Sequence, residues 1–435
     1  LSIFPASTAE TGGHWGIGGV HFQDGWSDNT YIRENGGGQE VWEDVNWTLG
    51  PETATMGVVI TSDSRDNLTT DNLSTEITFV QPPDVSINIS DWRVDGNSIA
   101  FINVPFANTS TSLTVMTDYT SYEDDGVYTV APANIVCSDS TAPNGCYANF
   151  SATTNANFPH VTGKYSDMGQ NDFSYWAWVK PSSNPADSAI MWNGFSGATP
   201  IATLETFAGK LGFRFETTTG AQVTFTGAAS PLVILNEWNL VGVQFSRSTN
   251  EGVTWINGVK TATTDISAAT GDMNTNNHLF YISNAETAGL DFLGGYGQIW
   301  VFNRTLSDEQ ILLMNSTGRM DIISSEETVV GETWTAQGTV NDGTVDLFES
   351  TSNTIEILAD DTCTYTSGNW LIACADNCNV ITNQAIDSGA NITINGTGNF
   401  TLDGANITGW TDALVKGVDV TNRCVVNILN SAIFG

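Results

Sequence analysis

Basic residues are scarce in this sequence. Its 435 residues hold 13 Lys and Arg against 48 Asp and Glu, a net charge of −35 at pH 7. Phosphate backbones are bound by clusters of cations that release counterions, and anionic lipid surfaces attract polybasic segments. Neither cluster can be assembled here, so nucleic-acid binding and electrostatic membrane binding are excluded. Charged residues amount to 14 %, against about 25 % in an average soluble protein. The acidity therefore reflects missing Lys and Arg more than added carboxylates. No run of about 18 apolar residues occurs, which argues against direct membrane insertion by a helix; Pro231-Leu232-Val233-Ile234-Leu235 is strand-sized. Catalytic signatures are missing too. There is no Gly-x-Ser-x-Gly elbow and no phosphate-cradling glycine loop with a lysine. There is also no Glu-x-Asp-x-x-Glu pattern to supply the paired carboxylates of glycoside hydrolysis. The expectation is a protein that is not an enzyme. The chain opens Leu1-Ser2-Ile3-Phe4-Pro5 without Met, which fits either a removed targeting segment or a piece of a longer product.

The six cysteines fall in local groups. Cys137 and Cys146 bracket a turn-rich stretch, and Cys363, Cys374, Cys378 and Cys424 cluster near the end. Even, local grouping points to disulfides and an oxidising compartment. The Cys374/Cys378 spacing also suits zinc ligands, although no His lies nearby. The expected bridges are Cys137–Cys146, Cys363–Cys374 and Cys378–Cys424, the last four cysteines allowing three connectivities. Asn-x-Ser/Thr glycosylation acceptors occur at Asn46, Asn67, Asn72, Asn88, Asn108, Asn149, Asn303, Asn315, Asn391, Asn395, Asn399 and Asn406. They fit an extracellular or surface location, although a composition rich in Asn and Thr explains most of them.

Nearly everything else reads as strand and turn: short β-branched and aromatic runs separated by Gly, Asn, Asp and Ser. One helix stands out over Leu306–Met314. Ser307 is its N-cap, Gln310 completes a capping box, and Leu306 and Ile311 occupy the staple positions. Residues 1–50 are glycine-rich with an apolar tip of Leu1, Ile3 and Phe4. They read as a first strand with loops, or as an assembly arm that self-assembles by adding a strand to a neighbouring subunit.

Family resemblances organise the rest. In residues 51–136, Asp91-Trp92-Arg93-Val94-Asp95-Gly96 resembles a strand carrying a core Trp, and Asp124-Asp125-Gly126-Val127-Tyr128-Thr129-Val130 resembles a tyrosine-corner strand. Together they resemble an immunoglobulin-like domain, but one lacking the inter-sheet disulfide. In residues 137–320, four stretches resemble a laminin-G-like or pentraxin-like jelly roll of the concanavalin-A type. They are Phe173–Pro181, Trp238–Val243, the hairpin Trp255-Ile256-Asn257-Gly258 with its type I′ turn signal, and Gly295–Ser307, a last strand running into the helix. The resemblance implies glycan or protein-ligand binding, often beside calcium, and some members of that superfamily are glycosidases. Gly297 and Gln298 stand where many such domains carry an acidic pair. In residues 321–435, Asp360–Cys374 reads as a hairpin, and Asn391–Gly409 alternates with Asn and Gly corners. This region resembles β-rich modules of microbial or viral surface proteins, as a β-solenoid or a small β-sandwich.

Several residues are candidates for chemistry. Asp272, Asn274 and Asn276 place oxygens at alternate positions, as at the start of a calcium loop; a polar hairpin tip is the plainer alternative. Asp63, Asp66 and Asp71 form a second acidic group. His14 and His21 with Asp24 fall short of a metal's three or four ligands. Among 14 Trp, Trp15, Trp26, Trp42 and Trp192 are the candidates for exposed, sugar-stacking rings. The sequence thus predicts an all-β, multidomain, extracellular or virion-surface protein. It would be structural and adhesive, would display a lectin-like domain, and would take glycans or surface proteins as partners. Calcium is its one candidate cofactor. A monomeric calcium-dependent glycan-binding protein and a glycoside hydrolase are the alternatives.

Overall fold

The structure is a computed structural model. It describes residues 30–34, 41–45 and, from Thr55 on, all but 66, 81–86, 108–113, 131, 133, 138, 153, 160, 162–163, 165–167, 184–187, 197–198, 218–221, 228–232, 274–278, 284–289, 359–362, 366, 391, 396–397, 410–423, 431–432 and 435. The chain divides into two units, Leu1–Thr55 and Met56–Gly435. In the first, Thr30–Glu34 pairs antiparallel with Val41–Val45. The expected arm residues Leu1, Ile3 and Phe4 lie outside the described residues.

The centre of the second unit is a sandwich of two eight-stranded sheets. The first sheet runs Asn134–Val136, Tyr147–Phe150, Gly294–Phe302, Phe173–Pro181, Asn239–Ser246, Glu251–Ile256, Val259–Asp265, with Ala100–Val104 also paired to Gly294–Phe302. The second runs Gln222–Phe225, Lys210–Glu216, Thr199–Phe207, Ser188–Ser196, Phe280–Ile282, Asn155–Phe158, Gly126–Val130, Val115–Met116. Successive side chains of a strand point to opposite faces, and Phe173–Pro181 shows the consequence. Phe173, Tyr175, Ala177 and Val179 enter the core between the sheets. There Phe173 and Phe215 stack on Phe245 at 4.8 and 4.9 Å between ring centroids. The expected type I′ hairpin is present, with Asn257 at φ 50° and Gly258 at φ 75°.

The first sheet is buried on its outer face as well, which explains its near-continuous apolar strands. Trp300 pairs with Trp176, Trp176 with Gly242, and Gly242 with Trp255. The Trp176 ring fills the space a side chain at Gly242 would need. This tryptophan layer is closed by Leu306, Ile311 and Met314 around the helix and by Trp92 and Trp334 from a smaller set of strands. The helix spans Asp308–Thr317 and ends at Gly318 in the left-handed conformation, φ 74°. Ser307 caps Gln310 N–H at 3.1 Å, and Leu306 and Ile311 are both buried. The reciprocal half of the expected capping box is replaced. The Ser307 N–H donates to Glu327 Oε1 at 2.6 Å. The Gln310 side chain instead bonds Ile322 O and Ser324 N.

The expected independent immunoglobulin-like domain over residues 51–136 does not form, because its strands find partners far along the chain. Ile87–Val94 pairs with Thr333–Asn341, and Leu73–Val80 with Ile322–Ile323. Ala100–Val104 joins the first sheet and Gly126–Val130 the second. Trp92 is indeed core, its Nε1–H donating to Met320 O at 2.7 Å. Tyr128 packs on Phe150 inside the large sandwich. The boundary at residue 321 moves for the same reason, since strands up to Ile355–Glu356 belong with Ile87–Val94.

The end of the chain is a parallel β-solenoid. Trp370–Ala373 pairs with Ile392–Asn395, Cys378–Val380 with Gly398–Asp403, and the latter with Cys424–Leu429, all parallel. Gln384–Ala385, Asn406–Thr408 and Ile433–Phe434 form a further parallel sheet. Of the expected Asp360–Cys374 hairpin, residues 360–362 and 366 lie outside the described residues, and Trp370–Ala373 takes a parallel partner, Ile392–Asn395, from a later rung. Cys137–Cys146 is bridged as expected, but the other bridges are Cys363–Cys378 and Cys374–Cys424. Rung stacking brings residues together that hairpin spacing would keep apart. Cys363, Asp376 and Cys378 lie within 4.8 Å of one another, but both sulfurs are bridged and offer no thiolate to zinc.

Candidate functional site

One row of side chains crosses the outward face of the second sheet. Val127 pairs with Asn157, Asn157 with Tyr281, Tyr281 with Trp192, and Trp192 with Thr203. Arg214 continues it, its N–H donating to Thr203 Oγ1 at 2.8 Å, and Thr224 pairs with Arg214 at the edge. Directly paired residues share a face, so two adjacent flat rings are flanked here by an amide on one side and by a hydroxyl and a guanidinium on the other. The Arg214 guanidinium stands 5.9 Å from the Trp192 ring and 5.7 Å from that of Phe207. Its Nη2 lies 3.0 Å from Glu205 Oε2. The middle of the row is closed, with Trp192 2 % and Tyr281 6 % exposed. Both ends reach solvent, at Val127 and at Arg214 and Thr224.

A second carboxylate sits on the same face. Ala189 pairs with Glu205 on one side and bridges Asp291 on the other. The two acidic residues are thus two strand spacings apart, about 10 Å between backbones. Burial pushes the Asp291 carboxyl above its ordinary range.

The residues singled out from the sequence fare differently. Trp192 is in the row, yet buried rather than exposed, because alternation selects its face but not what closes over it. Trp15 and Trp26 lie outside the described residues, as does the side chain of Trp42. So do His14, His21, Asp24, Asp66, Asn274 and Asn276. Asp272 is exposed and accepts from Gln170 Nε2 at 2.8 Å. The neighbouring Arg247 guanidinium donates to Gly271 O and interacts electrostatically with Asp272 and Asp172. Asp63 is exposed, but Asp71 is a buried loop anchor that accepts from Ser64 N and Oγ and from Leu68 N. Burial works to raise its pKa, and these hydrogen bonds outweigh burial and leave it lowered. Among the glycosylation acceptors, Asn149, Asn303 and Asn399 are exposed, and Asn67, Asn72, Asn88, Asn315 and Asn406 are half-buried. Asn72 Oδ1 accepts from Ser325 N. Asn395 ends the strand Ile392–Asn395, while Asn46, Asn108 and Asn391 lie outside the described residues. Glu205, Arg214, Tyr281 and Asp291 were missed from the sequence. The apolar run Ala189-Ile190-Met191-Trp192 was the available signal, but the partner strands come from distant segments.

Residues 150–312 match the sequence model of the Concanavalin A-like lectin/glucanases superfamily. Among solved structures, the binding domain of Paraclostridial Mosquitocidal Protein 1 is similar at 12 % identity. It aligns over 50 % of this chain and 52 % of its own, with a TM-score of 0.40. The Botulinum neurotoxin serotype G binding domain is 13 % identical over 50 % of this chain and 51 % of its own, TM-score 0.39. Domain 4 of AbnA, a GH43 extracellular arabinanase from Geobacillus stearothermophilus solved with arabinotriose, is 13 % identical over 52 % of this chain and 99 % of its own, TM-score 0.38. The chain spans about half the length of the first two. No curated protein matches the chain. Residues 150–312 are thus a concanavalin A-like domain within a larger all-β chain.

Proposed function

We propose that this is a non-enzymatic extracellular surface protein, structural and adhesive in role, whose concanavalin A-like domain recognises carbohydrate. The observation that carries the reading is the match of residues 150–312 to the Concanavalin A-like lectin/glucanases superfamily, with the open Arg214–Thr224 end of the row as its candidate contact. Sugars present a rim of hydroxyls, and this end of the row offers a guanidinium and a hydroxyl to meet them. Burying the Glu205–Arg214 pair on a sheet face gains little or no stability over apolar residues, so stability alone does not account for it. Three disulfides, with Trp92, Trp176, Trp255, Trp300 and Trp334 buried in one core, suit a chain exposed to an oxidising exterior. Glycan-array binding with and without calcium tests the proposal. Arg214→Leu and Thr224→Ala are expected to weaken binding; retention of full binding by both would sink the row as the site. Dependence on calcium would favour the calcium-loop alternative at Asp272.

The Glu205–Asp291 arrangement favours one second reading, a glycoside hydrolase. Such enzymes hold two carboxyl groups about 5–9.5 Å apart with unequal proton affinities. Release of reducing ends from a polysaccharide panel, abolished by Asp291→Asn, would replace the non-enzymatic reading.

A further inference from the structure

A second aromatic feature lies on the first sheet, away from the row. Trp238 immediately precedes the strand Asn239–Ser246, and Tyr147 opens Tyr147–Phe150. Their ring centroids are 5.5 Å apart at an interplanar angle of 71°, making an edge-to-face corner. Both are half-buried, and Ile234 and Leu235, in the turn before Trp238, are exposed. Gly295 and Gly297 form the floor. A Cβ at Gly295 would stand 3.1 Å from Trp238 Cη2, and one at Gly297 would stand 3.2 Å from Cζ3. The absence of an acidic pair at Gly297 and Gln298 thus has a structural consequence: the strand leaves room for an indole to lie against it. Lys180 Nζ is 5.8 Å from the Trp238 centroid and 3.9 Å from Asp139 Oδ2. Asp139 is set by the turn inside the Cys137–Cys146 bridge. Its carboxyl, bonded by Thr141 through side chain and backbone, is held below its ordinary pKa.

We propose that Trp238, Tyr147, Lys180 and Asp139 form a separate subsite for a neutral pyranose ring. The inference rests on the carbohydrate reading above and specifies a second place and a ligand class. A pyranose has an apolar face to lie on an indole and hydroxyls for an ammonium and a carboxylate at the rim. A purely apolar partner would leave the Lys180–Asp139 pair unused. An anionic glycan would meet the field of a chain with net charge −35, and the single ammonium is already opposed by Asp139.

The test uses the full chain and titration calorimetry. The probes are cellohexaose, laminarihexaose and xylohexaose, all neutral chains of pyranose rings, with a heparin hexasaccharide as the anionic arm. Wild type is expected to bind a neutral hexasaccharide with an affinity that barely changes between low and high salt. Tyr147→Leu and Trp238→Ala are each expected to weaken it about tenfold, the scale of losing one aromatic contact. Trp238 also packs against the tryptophan layer, so Tyr147→Leu and Lys180→Gln carry the test if Trp238→Ala does not fold. Unchanged affinity in those two variants overturns the subsite; if Arg214→Leu weakens binding in the same series, the carbohydrate reading survives without it. Tighter binding of heparin overturns the neutral-ligand assignment. Binding of none of the probes overturns the subsite together with the reading it rests on.

Discussion

The disulfide pattern of the solenoid allows a quantitative test. Cys374–Cys424 closes a sequence separation of 50 residues, and Cys363–Cys378 one of 15. The loop-closure entropy removed from the unfolded chain corresponds to about 4 kcal/mol for the longer loop and about 3 kcal/mol for the shorter. The solenoid core is small, built around Trp370, Ile372, Ile392, Ile394, Phe400, Leu402 and Ile407, so a loss of that size is a large fraction of its stability. The perturbation is the double change Cys374→Ser with Cys424→Ser, which leaves no free thiol. Thermal unfolding followed by circular dichroism should show the solenoid transition shifted down, and by more than for the Cys363→Ser, Cys378→Ser pair. Non-reducing peptide mapping checks the connectivity directly. Cleavage before Asp376 separates Cys374 from Cys378, and cleavage after Trp370 separates Cys363 from Cys374. Recovery of a Cys363–Cys374 peptide would refute the rung-stacked pairing, and an equal or larger shift for the shorter loop would refute the entropic reasoning.

Two further outcomes follow from the packing and the buried carboxylates. Gly242→Ala drives a methyl into the Trp176 ring; an overpacked core of this kind costs about 1–3 kcal/mol, measurable as a lowered denaturation midpoint, and an unchanged midpoint would contradict the tryptophan layer. Burial pushes Asp118 up to about 7, against hydrogen bonds from Thr120 and Asn103, and Asp91 up to about 6, against hydrogen bonds from Arg93 and Ser98. Their ordinary value is 3.8, so between about pH 4 and pH 7 the folded chain holds protons that the unfolded chain releases, and stability falls as pH rises through that window. Self-repulsion at −35 acts in the same direction. The melting temperature should be higher at pH 5 than at pH 7.5, and the reverse order would refute the assignment.

Some of this was legible because it is local. The Asn257-Gly258 turn needs two positive φ angles that Asn and Gly supply. Ser307 caps the first turn of its own helix, and Gly318 ends it. The short aromatic-rich apolar run Phe173–Pro181 announces a sheet strand before any partner is known. The candidate site was legible only as Trp192. Its partners Tyr281, Thr203 and Arg214 reach it through three other strands, and which residues share a row depends on registers that no short segment specifies.

By itself the sequence determined the all-β class, the concanavalin A-like domain, the helix after its last strand, and the disulfide between Cys137 and Cys146. The all-β class, the helix and the disulfide follow from periodicity, turn chemistry or spacing within a few tens of residues, and the concanavalin A-like domain from the resemblance carried by four stretches. Tertiary structure alone decided that Ile87–Val94 belongs with Thr333–Asn341 and that the last four cysteines pair across solenoid rungs. It also decided that Trp92, Trp176, Trp255, Trp300 and Trp334 share one layer. The physical reason is common to all three. Strand edges and cysteines of one type are chemically interchangeable, so the choice among partners rests on which arrangement buries the most apolar surface without leaving backbone groups unpaired.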